Sequence, residues 1–298
     1  MNLEDCRQFY AQEIRFAANL TSPALIEAFA RVPREDYLGA PPWHIGSPEQ
    51  RAMSLTGATG VSYVPTDDPR DLYHNVLVAL DIPRNVNNGQ PSALARWIDA
   101  LDLKRGDRAY HLGCGVGYYT AIMAEAVGQT GRVVAIEALP DLAARAKENL
   151  RRYSNVEVHS GDGTQFDPGE CDAILINAGV IVPHSIWLER LAEGGRLTVP
   201  LTMAANATLG QGVMAKIVHE RGGYSASIVT FLAIFSCVNG RSADLEPLMV
   251  KALTTGALMK IKSVRRDKHT QADSCVLHAP NACLSTVEVS ALTQATAR

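Results

Sequence analysis

The chain has 298 residues, of which 47% are hydrophobic and 20% are charged. This composition is typical of a globular protein that can bury a core, and the length allows one large domain or two smaller ones. The 28 Lys and Arg residues nearly balance the 31 Asp and Glu residues, which leaves a formal net charge of −3. Near-neutrality argues against a dedicated nucleic-acid binder and against binding to anionic membranes.

Segments that would place the chain in or across a membrane are not evident in the sequence. The most apolar run, from Ile228 to Val238, is far shorter than the roughly 18 residues that a bilayer requires. The N-terminal sequence MNLEDCRQFY is charged and lacks an apolar signal core. The six cysteines are scattered without a C-x-x-C pair, which predicts reduced core thiols, no zinc ribbon and no bound metal. We therefore expect a cytoplasmic protein.

Residues 1–40 have the apolar spacing of helices, and Ser22 with Pro23 is typical of a helix cap followed by a first-turn proline. From Gly39 to Pro83 there are many Gly and Pro residues and little periodicity, which predicts loops laid over the body of the protein. Long loops of this kind often cover or form binding sites.

Between about residues 93 and 200, short apolar runs alternate with amphipathic segments, as in βαβ units. The segment after the first run ends in Gly128, and the segment after the second begins at Pro140, as helices do. The pattern predicts an α/β fold with a Rossmann-like, doubly wound parallel sheet. Its five predicted parallel strands are Arg108–Leu112, Arg132–Ile136, Val156–His159, Ala173–Ile176 and Arg196–Val199.

Two further strand-like runs, Val213–His219 and Ser227–Cys237, predict a terminal antiparallel hairpin and thus a mostly parallel sheet of seven strands. A helix over Ala243–Thr255 and the runs IKSVRR and SCVLH follow as an α+β appendage. We therefore expect three regions. These are an N-terminal helical and loop region that covers the active site (1–76), a cofactor-binding domain (77–238) and the C-terminal appendage (239–298).

The strongest chemical signal is HLGCGVGYYT, which follows the first predicted parallel strand. Gly113, Gly115 and Gly117 form a turn in which the backbone can approach a ligand closely. A dinucleotide fingerprint would have a small residue at position 118, where this chain has Tyr118. The motif therefore favours a nucleoside cofactor without a pyrophosphate and disfavours a nicotinamide dehydrogenase.

Two more groups follow the next two strands. Glu137 ends the second strand, where a carboxylate accepts hydrogen bonds from ribose hydroxyls. Asp162 and Gly163 follow the third strand, where the carboxylate can take an exocyclic amino hydrogen of a flat base. Because ligands of doubly wound sheets bind at the carboxyl ends of the strands, these three consecutive strand ends predict one nucleoside site.

The segments HLGCGVGYYTAIMAEAVGQTGRVVAIE, GDGT, CDAILINAG and LAEGGRLTVPL together resemble class I methyltransferases that use S-adenosylmethionine, and among them protein-L-isoaspartate O-methyltransferases. The resemblance covers residues 77–238 and implies the class I methyltransferase sheet and S-adenosyl-L-methionine as the cofactor. The cofactor-binding residues that it implies are Gly113, Cys114, Gly115, Gly117, Tyr118, Glu137, Ala138, Asp162, Gly163 and Asn177.

The chain departs from the pattern of that family at two places. The family usually has an acid two residues before the first motif glycine, where this chain has His111. Its T-x-S-x-P motif, whose Ser lies at the active site, aligns with Asn87 to Pro91, so that the Thr and Ser positions have become Asn87 and Gly89. The active-site motif is therefore divergent, and the C-terminal region is longer than that of the ordinary repair enzyme.

A carboxylate acceptor tolerates this change, because it is already ionised at pH 7 and needs no general base. An alcohol or phenol acceptor would need deprotonation. We expect the acceptor to be placed by hydrogen-bond donors of the divergent motif and by nearby cations. The catalytic candidates are Asn87, Asn88, Gln90, Arg84 and His74, with His44 as a further donor and Tyr73, Tyr118 and Trp43 as pocket walls.

The function expected first is a carboxyl O-methyltransferase that forms methyl esters, with a small mono- or dicarboxylic acid as substrate. The alternatives are an isoaspartyl methyltransferase acting on damaged proteins and a non-catalytic module that binds the nucleoside and recruits a partner. Neither a nucleic acid nor a membrane is expected as a partner. A homodimer through the N-terminal helices or the appendage stays open.

Overall fold

The computed structural model describes residues 2–47 and 62–296, which separate into two compact units. The first unit is formed by Met1–Asp107 with Cys114–Ser160, and the second by Arg108–Gly113 with Gly161–Arg298. The helices of the described residues are α1 (Leu3–Ala18), α2 (Pro23–Arg31), α3 (Glu35–Leu38), α4 (Pro91–Asp99), α5 (Tyr118–Val127), α6 (Pro140–Asn149), α7 (Ser185–Glu189), α8 (Glu246–Thr254) and α9 (Val289–Thr296).

The described strands include all five that the sequence predicts to be parallel, and the first of these, β5, has the predicted ends. The strands are β1 (Trp43–Gly46), β2 (Tyr63–Thr66), β3 (Leu77–Asp81), β4 (Val86–Asn87), β5 (Arg108–Leu112), β6 (Arg132–Glu137), β7 (Val156–Ser160), β8 (Cys171–Ile176), β9 (Leu191–Ala204), β10 (Leu209–Glu220), β11 (Gly223–Phe235), β12 (Ser263–Arg265), β13 (Cys275–His278) and β14 (Cys283–Ser285).

The N-terminal helices of the first unit begin where the sequence predicts. The Ser22 hydroxyl accepts a hydrogen bond from the Leu25 N–H at 3.3 Å, and Pro23 occupies the first helical position of α2. The carboxylate of Asp99, the last residue of α4, accepts hydrogen bonds from the backbone N–H groups of Thr21 and Ser22. The start of α2 is thereby fastened to the end of α4.

The prediction of loops between Gly39 and Pro83 is wrong for the segments that form β1, β2 and β3. With β4 these strands make an antiparallel sheet in the order β2-β1-β3-β4. β1, β2 and β4 have four residues or fewer, too short to show periodicity, and the sheet contacts a small apolar cluster that includes Leu38, Trp43, Leu72 and Val78. Residues 48–61 of the predicted loop region lie outside the described residues.

The first unit also contains the parallel pair β6 and β7, with Val133 opposite Val156 and Glu137 opposite Ser160. Both faces of β6 are buried, as is usual for a parallel strand covered by helices on each side. α5 is buried along nearly its whole length, and α6 buries the face that carries Leu142 and Ala146.

The second unit contains a mixed sheet in the order β13-β14-β12-β11-β10-β9-β8-β5. β5, β8 and β9 are parallel, and β9, β10 and β11 form long antiparallel hairpins, so the predicted change from parallel to antiparallel strands is confirmed. β12 pairs with β11 at Tyr224–Val264 and Ser225–Ser263. The C-terminal appendage thus adds three strands beyond the predicted hairpin, and the α/β fold class is confirmed.

All six cysteines are free thiols, and all but Cys275 are buried. This agrees with the expectation of core thiols. Among the helices of the described residues, none has the length and apolar character needed to cross a bilayer. The division into regions 1–76, 77–238 and 239–298 stays a prediction.

Candidate cofactor and active site

In the first unit, two motif glycines have backbone conformations that favour glycine. Gly115 and Gly117 have φ values of +57° and +92°. A Cβ atom on Gly117 would lie 2.7 Å from the Cδ1 atom of Leu150, so a side chain there would clash with α6 packing. A Cβ atom on Gly115 would meet nothing within 4 Å. The backbone at Gly115 therefore borders open space that a ligand can fill.

Glu137, which ends β6, is linked to this glycine turn by its carboxylate. Oε2 accepts a hydrogen bond from the Gly115 N–H at 2.8 Å, and Oε1 accepts one from the Leu139 N–H at 3.0 Å. The side chain is buried at 8% exposure. Since each carboxylate oxygen has two lone pairs, both oxygens keep acceptor capacity for hydroxyl groups of a ligand. Glu137 can therefore position the turn and bind a ligand at once.

Three other cofactor candidates of this unit differ in what they offer. Tyr118 is fully buried, and its ring packs edge-on against Phe29, Tyr37 and Tyr119, so any contact of Tyr118 with a ligand falls to its backbone. Burial and the Glu137 charge raise the pKa of the Cys114 thiol, which therefore stays protonated. Ala138 is exposed.

In the second unit, Gly113 and Asn177 meet at the ends of β5 and β8. The Asn177 side-chain N–H₂ donates to the Gly113 carbonyl at 3.1 Å, and its backbone N–H donates to the Leu112 carbonyl at 2.9 Å. Gly113 has a φ of +77°, and a Cβ atom on it would lie 3.0 Å from the Asn177 carbonyl oxygen. The close approach of these two backbones thus requires glycine at position 113.

Asp162 is held by neighbours that orient its carboxylate. Oδ1 accepts from the Thr164 N–H at 2.9 Å, and Oδ2 accepts from the Asn239 side chain at 2.7 Å. Partial burial opposes ionisation, but the hydrogen bonds from Thr164 and Asn239 outweigh it and hold the pKa of Asp162 below its usual value. Asp162 is therefore an anionic acceptor at neutral pH.

Gly163 is buried against the sheet. A Cβ atom there would lie 2.4 Å from the Cδ1 atom of Leu112, and its carbonyl accepts hydrogen bonds from the Tyr110 hydroxyl at 3.3 Å and the Trp187 indole at 3.2 Å. Gly161, by contrast, borders open space. Gly163 thus allows close packing, and room for a ligand lies at Gly161.

His111 stands where the resemblance leads one to expect an acid, and it is fully buried in β5. Burial lowers the pKa of its imidazole to about 3, so the ring is neutral at physiological pH. A carboxylate in the same place would pay a large desolvation cost. His111 therefore replaces a potential charge by a neutral ring.

The divergent motif forms a fixed turn between β4 and α4. The Asn87 Oδ1 atom accepts a hydrogen bond from the Gly89 N–H at 2.9 Å. Gly89 has a φ of +74°, and its carbonyl accepts a hydrogen bond from the Tyr119 hydroxyl at 3.3 Å. A Cβ atom on Gly89 would lie 2.9 Å from the Leu94 side chain. Glycine at the position of the family's Ser is thus suited to the tight turn seen here.

Two polar atoms of this turn have unused hydrogen-bonding capacity. The side-chain nitrogens of Asn87 and Asn88 are buried, and neither has an acceptor among the residues that the structure describes. Asn88 itself is 8% exposed, and its backbone N–H donates to the Val78 carbonyl at 2.9 Å. Gln90 occupies the N-cap position of α4 without a side-chain capping bond, and its side-chain amide donates to the Ser92 hydroxyl at 3.3 Å. The turn therefore presents two unsatisfied N–H donors.

The predicted cations have other contacts in the structure, and their part in placing an acceptor stays a prediction. The Arg84 guanidinium, which is exposed, forms ion pairs with Asp81 at 2.7 Å and Asp141 at 2.5 Å, so its charge is already compensated. The His74 side chain is exposed, and its carbonyl accepts hydrogen bonds within the core. His44 lies in β1, paired with Pro65 of β2.

The predicted pocket walls are core residues. Trp43 is buried and donates its indole N–H to the Gly39 carbonyl at 3.0 Å. Tyr73 is buried, donates to Glu35 and accepts from the Arg34 backbone N–H at 3.2 Å. Core packing therefore explains both aromatic rings.

Two residues near these positions carry roles that sequence patterns do not reveal. Asn239, with a φ of +55°, reaches Asp162 from the segment after β11. His184 is half-buried beside Trp187. Burial lowers the pKa of His184, and the opposing effect of the Asp162 charge is smaller. Both come from connections whose sequences have no motif, so only the folded unit brings them to Asp162.

Comparison with known proteins identifies related sequences over this region. The family model of Protein-L-isoaspartate(D-aspartate) O-methyltransferase (PCMT) matches residues 61–223. A protein-L-isoaspartate O-methyltransferase of Methanococcus aeolicus is 38% identical over 144 residues, which are 45% of this chain and 64% of that protein. One of Trichlorobacter lovleyi is 32% identical over 213 residues, covering 70% of this chain and 84% of that protein.

Two solved structures share the fold. One, described as a protein-L-isoaspartate O-methyltransferase, superimposes with a TM-score of 0.62 at 21% identity over 83% of this chain and 70% of that chain. The other is a putative protein-L-isoaspartate O-methyltransferase from Plasmodium falciparum in complex with S-adenosyl-L-homocysteine, with a TM-score of 0.58 at 19% identity over 78% of this chain and 98% of that chain. The Rossmann-like methyltransferase fold is thereby confirmed.

Proposed function

Because this chain belongs to the protein-L-isoaspartate(D-aspartate) O-methyltransferase family, whose model matches residues 61–223, we propose that it methylates the free carboxylate of isoaspartyl residues in peptides or proteins. At the coarser level the chain is an S-adenosylmethionine-dependent methyltransferase. The part of the first relative that aligns is 64% of that protein's length, so the activity of the whole chain belongs to this proposal.

The residues present fit the cofactor. In the first unit, Gly115 leaves its surroundings open and Glu137 keeps acceptor capacity for ribose hydroxyls. In the second unit, Asp162 is held as an anionic acceptor suited to an exocyclic amino group, and Gly161 beside it borders open space. Gly113 with Asn177 would shape the backbone of the second unit for the cofactor, and Gly117 would shape the turn of the first. Cys114, Tyr118, Ala138 and Gly163 would support these contacts through backbone and packing.

The observation that carries the proposal is the pair of buried side-chain nitrogens on Asn87 and Asn88. A buried N–H donor without an acceptor costs about 1 to 3 kcal/mol, and a carboxylate is the acceptor that recovers most of it, because hydrogen bonds to ionised groups are about twice as strong as neutral ones. The turn between β4 and α4 is thus suited to receive a carboxylate, and Gln90 adds a third polar side chain there.

In this reaction the chain's task is placement. When bound, the sulfonium cofactor supplies an activated methyl group, so that an O–CH₃ bond forms while the S–CH₃ bond breaks and its electron pair returns to sulfur. The acceptor carboxylate, with a reference pKa near 4, is ionised without help from a base. Asn87 and Asn88 would hold it in line, and alignment of this kind is worth up to roughly 7 to 11 kcal/mol. Gly89 in the place of a serine then removes no group that the chemistry needs.

The family match favours the isoaspartyl substrate over the small carboxylic acid that the sequence analysis places first. Two observations keep the small acid as a second candidate. The motif has Asn87 and Gly89 where the family has Thr and Ser, and residues 224–298 lie beyond the matched region.

The test uses methyl-labelled S-adenosylmethionine with an isoaspartyl peptide, its α-aspartyl isomer as matched control, and a panel of small mono- and dicarboxylic acids. We expect base-labile label on the isoaspartyl peptide alone. Label on small acids alone would overturn the proposal in favour of the second candidate. No transfer to any acid, together with calorimetric binding of S-adenosylhomocysteine, would indicate the nucleoside-binding module.

A further inference from the structure

The C-terminal appendage contains a cluster of two cysteines and two histidines, defined by His269, Cys275, His278 and Cys283. Each offers a ligand atom, and these four atoms lie within 4.8 Å of one another. Two thiols and two imidazoles form the donor set that proteins use for tetrahedral zinc. We propose that this His₂Cys₂ cluster is a structural zinc site.

The backbone explains how the side chains meet. Cys275 and His278 are three residues apart on β13, so in a regular strand they would point to opposite faces. The pairing of β13 with β14 is shifted between Cys275 and Leu277, and such a bulge moves the following side chains to the other face. His278 lies directly opposite Cys283 of β14. The irregularity thus allows three ligands from one hairpin to share a face.

The fourth ligand, His269, comes from the loop before β13, and its ring is oriented by a contact of the nitrogen that faces away from the cluster. Its Nδ1 atom lies 2.9 Å from the Asp267 carbonyl oxygen, and its Nε2 atom lies 3.5 Å from the Cys275 sulfur. This is the arrangement of a metal-binding histidine, which donates its second ring N–H to a carbonyl or carboxylate. His269 therefore presents Nε2 to the cluster.

The remaining contacts also fit a metal. The Ala272 backbone N–H points at the Cys275 sulfur, with a separation of 3.4 Å, as is suitable for a thiolate acceptor. The Nδ1 atom of His278 is buried and has no hydrogen-bond partner among the described residues. Ligand atoms of tetrahedral zinc lie about 3.3 to 3.8 Å apart, given Zn–S near 2.3 Å and Zn–N near 2.0 Å. Because the ligand atoms here lie within 4.8 Å of one another, a contraction of about 1.5 Å at most would complete the site.

The appendage has a physical need for such a cross-link. β12, β13 and β14 have only three, four and three residues, and β12 pairs with β11 at two positions. Residues 266–274 between β12 and β13 form no helix or strand. A metal ligated by both the loop and the hairpin would restrict this loop, as metals do in small folds. Four protein ligands leave no open position, so the site is structural and not catalytic.

The test measures zinc in the full chain, purified under reducing conditions, by elemental analysis. We expect one zinc ion per chain, loss of it in Cys275→Ser and in His269→Asn, and retention in Cys171→Ser, which changes a buried thiol of β8 outside the cluster. Cobalt added to chelator-treated wild-type protein should give the visible absorption of a tetrahedral thiolate site.

A second measurement does not depend on how the variants fold. Chelation should lower the Tm of the wild-type chain, and zinc added back should restore it, whereas magnesium should not. Substoichiometric zinc in the purified chain, equal loss of zinc from Cys171→Ser, or a Cys275–Cys283 disulfide found by mass spectrometry in the reduced preparation would each overturn the proposal.

Discussion

The carboxylate of Glu137 accepts a hydrogen bond from the backbone N–H of Gly115 at 2.8 Å, so the end of β6 and the glycine turn are joined by a single side chain. The backbone repeats this connection, because the Cys114 N–H donates to the Ile136 carbonyl at 3.2 Å. A residue predicted to bind ribose thus also fixes the turn that borders the open space at Gly115. Both roles depend on the same two oxygens.

We expect Glu137→Ala to weaken binding of S-adenosylhomocysteine by about 1 to 3 kcal/mol, or roughly 5- to 150-fold in Kd, because hydroxyl donors of the ligand and the Gly115 N–H lose their acceptor. Glu137→Gln keeps one carbonyl acceptor, so its affinity for S-adenosylhomocysteine should lie between those of the wild type and Glu137→Ala. Isothermal titration calorimetry measures both. Glu157→Ala on β7, which removes an exposed carboxylate of the same unit, is the control. Unchanged affinity in Glu137→Ala would remove this residue from the cofactor site.

Asn87→Asp tests the donors of the divergent motif without removing the turn. The aspartate keeps the oxygen that accepts from the Gly89 N–H, but it replaces the buried N–H₂ by a negative charge. Loss of a hydrogen bond to a charged group costs about 1.5 to 3 kcal/mol, so we expect kcat/KM for the carboxylate substrate to fall at least about 10-fold, mainly through KM. Steady-state kinetics with the isoaspartyl peptide measure the change.

Asn206→Asp is the matched control for this change. Asn206 caps the turn between β9 and β10 in the same way, with its Oδ1 atom accepting from the Thr208 N–H at 3.0 Å. Asn206→Asp should leave kcat/KM unaltered. Equal kinetics for wild type and Asn87→Asp would show that the amide does not touch the acceptor.

The sequence predicts those parts of the protein that depend on local patterns. The glycine turn, Glu137 and the parallel strands follow from spacing and periodicity, because each is decided by its own segment. The unsatisfied donor on Asn88 does not follow, since the position of Asn88 depends on its hydrogen bond to Val78 in a sheet that the sequence does not predict. The cluster around Cys275 is hidden for the same reason, because its spacing is uncommon and only a strand irregularity aligns the ligands.

His111 makes the stability of the chain depend on pH in the acid range. Its pKa is about 3 in the folded chain, against about 6.5 in an unfolded one. Above pH 6.5 the imidazole is neutral in both states and has no effect. Below it, the unfolded chain binds a proton that the folded chain does not, so the free energy of unfolding should fall by about 1.4 kcal/mol per pH unit.

His111→Asn removes this titration. As the pH falls from 6.5 to 4, the free energy of unfolding of the wild type should therefore decrease more than that of the variant. Urea denaturation at several pH values measures it. A constant offset between His111→Asn and wild type at all pH values would contradict the prediction.

Arg34 is fully buried in the first unit, and nothing in its sequence context marks it. Its Nη1 atom donates to the Leu72 carbonyl at 2.6 Å and to the His74 carbonyl at 3.2 Å, while Nη2 donates to the Val76 carbonyl at 2.9 Å. The guanidinium also lies over the ring of Tyr10 at 5.9 Å. One side chain therefore satisfies three carbonyls of the segment that leads into β3.

Replacement of Arg34 by Met should destabilise the chain by about 3 to 5 kcal/mol, because the Leu72 and Val76 carbonyls lose the Arg34 donor and the His74 carbonyl keeps only the Val76 N–H. Lys should recover only part of this, since its single ammonium cannot reproduce the planar fork. Urea unfolding measures the loss, and Arg70→Met, which breaks an exposed pair with Asp68, should leave the midpoint unchanged. β3 also contributes the Val78 carbonyl, which accepts a hydrogen bond from the Asn88 N–H. When the Arg34→Lys variant is partly unfolded, it should therefore lose methyl transfer before it loses cofactor binding. Arg34→Met as stable as wild type would mean that these carbonyls find other donors.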